Sequence, residues 1–227
     1  MALYAIGDLH LSLGSDKPMD VFGGAWVGYV DKLREGLSVI GPEDTTVLLG
    51  DLSWALDLNG AREDFAMIAA IPGRKIIVKG NHDYWWTTIR KMENFLTANG
   101  FDTLHILHNN ACTVGNVALC GTRGWPFDDT NAQDAKIMAR EAGRLRMSLQ
   151  AGGGAQKIAF LHYPPVYPGG CAQPLVDILH EFGVQQCYYG HLHGKSIRGA
   201  IQREVDGIRY KLVSADGLHF CPYKICD

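Results

Sequence analysis

The sequence predicts an α/β fold, and three observations carry that expectation. Six short apolar runs each end in a glycine or a polar residue, and amphipathic helical stretches separate most of them. The third observation is composition: 227 residues, 47% hydrophobic and 20% charged, is the balance of a globular protein with a sizeable core.

The elements follow in order. Leu3 to Ile6 is a four-residue apolar run that enters Gly7-Asp8. Trp26, Val30, Leu33, Leu37 and Ile40 then recur at steps of three and four, with Asp31, Lys32, Arg34 and Glu35 on the opposite face, the pattern of an amphipathic helix. Thr46 to Leu49 runs into Gly50-Asp51, and Phe65, Ile68 and Ala69 make a second helix that Pro72 stops. Lys75 to Val78 runs into Gly80-Asn81, and Ile89, Met92, Phe95 and Leu96 make a third helix, stopped near Asn99-Gly100. Val117 to Cys120 enters Gly121-Thr122, and a fourth helix spans Ala132 to Leu149, ended by Gly152-Gly153-Gly154. Ile158 to Leu161 runs into His162, Leu175 to Phe182 is a fifth helix, and Cys187 to Tyr189 enters Gly190-His191. After His193, Ile197 to Val205 and Ile208 to Val213 flank Asp206-Gly207, which reads as a hairpin with a tight turn. Runs this short, apolar and rich in β-branched residues read as strands buried on both faces. No repeat or linker interrupts the chain, so residues 1–227 are read as one domain.

Composition also narrows the function. A net charge of −3, with no run of basic residues, offers no nucleic-acid footprint. Six cysteines fit neither a zinc-ribbon spacing nor a small stapled scaffold and are read as reduced thiols. The start of the chain lacks a basic segment followed by a long apolar one, and no apolar run reaches membrane-spanning length. The expectation is a soluble cytoplasmic protein without a membrane partner. Oligomeric state is unreadable from sequence.

The residues just past the strands are unusual in kind. Asp8-Leu9-His10 places two ligand-type side chains on one side of an extended segment. Gly50-Asp51 alone is ordinary turn chemistry. In Gly80-Asn81-His82-Asp83, a turn and a helix cap account for Gly, Asn and Asp but not for His82. Gly190-His191-Leu192-His193-Gly194 sets two imidazoles two apart between glycines that let the backbone turn and approach closely. Ligands of open α/β sheets bind at the carboxyl ends of strands. There Asp8, His10, Asp51, Asn81, His162, His191 and His193 converge from five strand ends. Burying them together is costly without divalent cations. A set of carboxylate, amide and imidazole without cysteine favours Mn, Fe, Zn or Co.

In this order, Asp-x-His, Gly-Asp, Gly-Asn-His-Asp, a lone His after a strand and Gly-His-x-His resemble the calcineurin-like metallophosphoesterase superfamily. The resemblance spans Asp8 to His193. It implies a four-layer sandwich of two mixed β-sheets flanked by helices, and two metal ions. Asp8, His10 and His193 would hold the first ion and Asn81, His162 and His191 the second, with Asp51 bridging. His82 would act as a catalytic group beside the leaving oxygen, held by Asp83. The implied reaction is hydrolysis of a phosphomono- or phosphodiester by a bimetal-activated hydroxide.

Two departures bear on substrate. The protein serine/threonine phosphatase branch carries an Asp-Arg-Gly element after Gly-Asp, whereas Leu52-Ser53-Trp54 follows Asp51 here, with no clamping arginine. Asp83 also replaces a Glu. A small molecule or nucleotide is therefore expected over a phosphoprotein. The alternatives are that phosphatase activity or a metal-binding scaffold without turnover. Arg123 either reaches a phosphate oxygen or makes an ion pair. Trp54, Trp85, Trp86 and Trp125 either wall a site for a flat group or pack in the core, and Tyr163 is placed in the pocket by its neighbour His162.

Overall fold

The computed structural model describes residues 1–126 and 132–227. In chain order it contains β1 (Leu3–Ile6), α1 (Tyr29–Leu37), β2 (Thr45–Leu48), α2 (Arg62–Ala70), β3 (Arg74–Ile77), α3 (Ile89–Ala98), β4 (Leu104–Ile106), β5 (Ala111–Val114) and β6 (Val117–Thr122). There follow α4 (Ala132–Ala151), β7 (Gln156–Leu161), β8 (Val166–Tyr167), β9 (Gly170–Cys171), α5 (Gln173–Glu181), β10 (Gln186–Tyr189), β11 (Glu204–Val205), β12 (Ile208–Leu212) and β13 (Tyr223–Cys226).

Two sheets form, ordered β13-β1-β2-β3-β4 and β11-β12-β10-β7-β6-β5, with β8 and β9 as a separate ribbon. The inner strands are parallel, and β13, β11 and β5 add antiparallel edges, so both sheets are mixed. Parallel neighbours need crossovers. Helices α1, α2 and α3 supply them in the first sheet, α4 and α5 in the second.

The side-chain alternation of each strand explains the layering. Leu3, Ala5, Val47, Ile76, Ile158, Phe160 and Tyr188 share one apolar cluster between the sheets. Their neighbours face outward: Ile6, Leu48 and Ile77 meet α1, α2 and α3, while Ala159, Leu161, Cys187 and Tyr189 meet α4 and α5. Burial on both faces is why these strands read as unbroken apolar runs. The result is the helix–sheet–sheet–helix sandwich that the motifs imply.

The structure departs from the sequence reading in places. The first helix starts at Tyr29, and Trp26 closes a 3-10 turn instead. The late hairpin is shorter than expected. Gly194–Gly199 is a 3-10 helix, and only Glu204–Val205 pairs with β12. Its turn is as expected, with Asp206 at φ 48° and Gly207 at φ 80°, the two left-handed positions of a type I′ turn. Edge strands β4, β5 and β13 were not anticipated. All six cysteines are free, and among the described residues no helix is long and apolar enough to cross a membrane.

The sheets join at their carboxyl ends. Past β1 the Gly7 N–H donates to Val213 O (2.8 Å), and the Ala215 N–H donates to Gly7 O (2.9 Å). The next residue is Asp8.

Candidate metal centre

Beyond their last pairs the strands bend sharply. Asp8 (φ 60°), His10 (φ 47°), Asp51 (φ 51°) and His191 (φ 72°) are all left-handed, at about 1–2 kcal/mol each. Among the described residues, half of the eight non-glycine residues with left-handed φ are thus ligand candidates, the clustering of strain that functional sites show. Surrounding bonds hold the bends. The Asp8 N–H donates to Gly50 O (2.8 Å), and the His10 N–H donates to Asp51 O (2.9 Å).

Two motif glycines are explained by close approach. A Cβ at Gly80 would stand 2.1 Å from Asp51 Oδ1, and one at Gly190 would stand 2.5 Å from Asp8 Oδ2. The carboxylates occupy the space that side chains would need. Both are anchored there: the His82 N–H donates to Asp51 Oδ1 (2.7 Å), and the His191 N–H donates to Asp8 Oδ1 and Oδ2 (3.1 and 3.0 Å).

The seven anticipated residues come together as two adjoining groups. In the first, His193 Nε2 lies 3.3 Å from Asp8 Oδ1 and 3.4 Å from His10 Nε2. In the second, Asn81 Oδ1 lies 2.6 Å from His162 Nε2 and 2.9 Å from His191 Nδ1. Asp51 Oδ2 stands between them, 3.8 Å from His10 Nε2 and 3.5 Å from His162 Nε2. Asp8, Asp51, His10 and His162 are almost fully buried.

Four of these six distances match those between donors on a shared ion, and the other two, 2.6 and 3.8 Å, lie within 0.3 Å of that range. Donors about 2.0–2.2 Å from a shared ion, at tetrahedral to octahedral angles, lie about 2.9–3.5 Å apart. The imidazoles are aimed inward from behind. His162 Nδ1 is 2.9 Å from Leu49 O, and His193 Nδ1 is 2.9 Å from Asp216 Oδ1. In the neutral tautomer with Nδ1–H donating outward, each Nε2 lone pair would face the group.

Protonation of the metal-free centre divides the residues into two sets, three imidazoles held neutral and two groups that keep a proton. Burial pushes His10 down to about 3, and burial with His162 nearby pushes His191 down to about 4. Burial lowers His162 as well. Neutral imidazole is the ligating form. Burial would raise Asp8, but His193, His162 and His10 hold it below the ordinary carboxylate range. Burial and Asp8 raise Asp51 to about 8. Burial would lower His193, but Asp8 and Asp216 raise it to about 10.

Asp83 requires a correction. Its carboxylate does not hold His82. Oδ2 accepts from the N–H groups of Asp51 (2.9 Å) and Gly80 (2.6 Å), and Oδ1 accepts from Leu52 N–H (2.9 Å) and Trp85 Nε1–H (3.0 Å). Buried among four donors, it ties the loop after β2 to the loop after β3. His82 Nδ1 instead meets the Tyr84 hydroxyl at 3.1 Å.

The tryptophans separate by role. Trp54 is at the centre, stacked on His10 (5.0 Å between centroids, 23°) and 4.6 Å from the His82 ring. Trp85 packs on Phe65 in the core, and Trp86 and Trp125 lie under Lys79 and Arg123. Tyr163 packs 4.3 Å from the His191 ring. Arg123 gives its carbonyl to the N–H groups of His162 and Tyr163, while its guanidinium turns to buried Glu141 at 3.6 Å.

Besides Tyr84, two residues of the centre were missed. Asp216 binds His193 and also accepts from Gly194 N–H (2.9 Å); its position just past a strand was the available signal. Trp26 contacts His10 and His193 edge-on at 5.9 and 5.6 Å. Its spacing matched the first helix face and disguised it.

Comparison with known proteins agrees with this geometry. A family model described as calcineurin-like phosphoesterase matches residues 1–195. Among solved structures, the protein of unknown function AQ665 from Aquifex aeolicus is 19% identical with a TM-score of 0.53, over 98% of this chain and 95% of that one. A phosphopantetheinyl hydrolase from Mycobacterium tuberculosis is 16% identical with a TM-score of 0.53, over 94% and 88%. The protein TT1561 of Thermus thermophilus is 12% identical with a TM-score of 0.56, over 95% and 89%. At these identities the likeness is one of fold. Comparison with curated proteins returns no match.

Proposed function

Since this chain belongs to the calcineurin-like phosphoesterase family, we propose that it hydrolyses a phosphomono- or phosphodiester of a small molecule or nucleotide at a two-metal centre. The observation that carries the proposal is the position of Asp51 Oδ2, shared between two nitrogen-bearing groups. Asp8, His10 and His193 would hold one ion, Asn81, His162 and His191 the other, and Asp51 both. The mixed oxygen and nitrogen set suits Mn, Fe, Zn or Co. The chemistry such ions supply when bound is activation of water and neutralisation of charge on the phosphoryl oxygens.

The chain's own residues complete the site. His82 stands beside the bridging carboxylate, its backbone N–H on Asp51 Oδ1. Burial holds its imidazole below the usual value, so it is neutral at pH 7. In the tautomer whose Nδ1 accepts from the Tyr84 O–H, Nε2–H is left to hydrogen-bond the departing oxygen. Tyr84 thus takes the orienting role that the sequence reading gave to Asp83, and Asp83 braces the loops that carry Asp51 and Asn81. Trp54, against His10 and His82, and Tyr163, against His162 and His191, would confine the substrate. Arg123, paired with Glu141, orders the backbone under His162. The absence of a clamping arginine after Asp51 supports a small substrate over a phosphoprotein.

Chromogenic phosphomonoester and phosphodiester, each tested with added Mn²⁺ and with chelator, check the proposal. Metal-dependent release of the chromophore is expected. Full metal occupancy with no turnover on any phosphate ester would support the scaffold alternative instead.

A further inference from the structure

Nine large apolar side chains are conspicuously exposed among the described residues. Six of them, Leu13, Val21, Phe22, Val27, Leu56 and Tyr84, lie in the three loops that leave the carboxyl ends of β1, β2 and β3. Those loops carry four of the metal-ligand candidates, Asp8, His10, Asp51 and Asn81. Exposed apolar surface gathered at one edge marks a binding surface.

The surface has a definite pocket. Pro18, Met19, Val21, Phe22 and Trp54 line a cavity of about 440 Å³ together with Asp16 and Lys17. That volume is in the range of small-molecule sites, which are mainly apolar with few polar groups. Val21 and Phe22 are 76% and 71% exposed on their 3-10 turn. Nothing in the fold requires them to be apolar.

Trp54 connects this pocket to the reaction. The indole that lines the cavity also stacks on His10 and packs against His82. An alcohol leaving beside His82 is therefore next to the Trp54 ring. Its remainder meets Pro18, Met19, Val21, Phe22 and Trp54, with Asp16 and Lys17 as one anion and one cation that offset each other, so a group with net charge gains little while it loses hydration. A ring would instead gain stacking and burial. Lys17 Nζ lies over the Trp54 ring, 5.7 Å from its centroid, on a side chain long enough to swing aside for a ligand.

We propose that the alcohol released by hydrolysis is an uncharged, ring-bearing group that lies on Trp54 and fills this cavity. The inference rests on reading the centre as a phosphoesterase. The reaction balances with one water: its oxygen bonds to phosphorus, the P–O bond to the alcohol breaks, and the proton it sheds balances the one the departing oxygen gains.

The test compares naphthylmethyl phosphate with hydroxyethyl phosphate, esters of alcohols of similar acidity, on the metal-loaded protein. The expected ratio of kcat/KM is roughly tenfold or more in favour of the ring. It falls toward one in the double variant Val21→Ser, Phe22→Ser, whose exposed positions tolerate polar groups. Independently, naphthylmethanol alone shifts the Trp54 indole N–H resonance of the zinc-loaded protein, and the double variant loses that response. A ratio near one with both esters hydrolysed, or no shift of that resonance, overturns this inference and leaves the proposed function standing. If the metal-loaded protein hydrolyses neither these esters nor the chromogenic ones, the proposed function fails and this inference falls with it.

Discussion

Asp83→Asn separates a structural role for this residue from a catalytic one. The carboxylate is buried, and each oxygen accepts two hydrogen bonds at 2.6–3.0 Å. Asn is nearly isosteric, but it replaces one oxygen by an NH₂ group that can only donate. Whichever oxygen is replaced, two buried donors lose their acceptor. A buried donor left unsatisfied costs about 1–3 kcal/mol, so the variant should lose about 2–6 kcal/mol. That is a large part of the roughly 5–15 kcal/mol that holds a domain folded. Urea unfolding of the metal-free protein measures it, with an unchanged m-value confirming that only stability moved. Had Asp83 served chiefly to orient His82, stability would stay within about 0.5 kcal/mol while turnover collapsed. That result would refute the reasoning, which places the four donors on the loops carrying Asp51 and Asn81.

Other predictions follow from the same geometry. Asp216→Asn weakens the hold on His193 and should lower metal affinity about 10–100-fold, read by competition with a chromophoric chelator; unchanged affinity would sink the assigned role. In the metal-free centre His193 keeps its proton up to about pH 10 and Asp51 up to about pH 8. Metal must displace these protons, so affinity rises with pH, about tenfold per unit for each proton expelled. Calorimetric titration between about pH 6.5 and 7.5 should show that rise, and a flat profile would contradict it. His82→Ala should keep its metals and lose about 10²–10⁴-fold in kcat. Metal analysis finding that variant stripped would make His82 a ligand instead.

Much of the fold was legible because its central strands are buried on both faces. Leu3 to Ile6 and Ile158 to Leu161 announce themselves as apolar runs whichever face each side chain takes. The edge strands lack that signal. Leu104–Ile106 is three residues with exposed His105 at its centre, and Tyr223–Cys226 alternates half-buried and exposed residues. The seven ligand candidates were legible through their order and their place after strands, not through any one motif. What stayed hidden depends on direction in space. Asp83 follows His82 directly, yet its side chain turns into the protein and meets Leu52 and Trp85. Asp216 lies 23 residues from the imidazole it orients, in a Ser-Ala-Asp-Gly stretch that reads as a plain turn. Tyr84, two residues beyond His82, carries no motif signal, and only the fold brings its hydroxyl to Nδ1.

The central claim is that Asp51 joins two metal sites built from the other six residues. A crystal structure of the Mn²⁺-loaded protein, with anomalous data collected at the manganese absorption edge, tests it most directly. The account predicts two anomalous peaks about 3.5–4 Å apart. Asp51 should lie between them, Asp8, His10 and His193 around one, and Asn81, His162 and His191 around the other. A single peak, or peaks away from these residues, would contradict it.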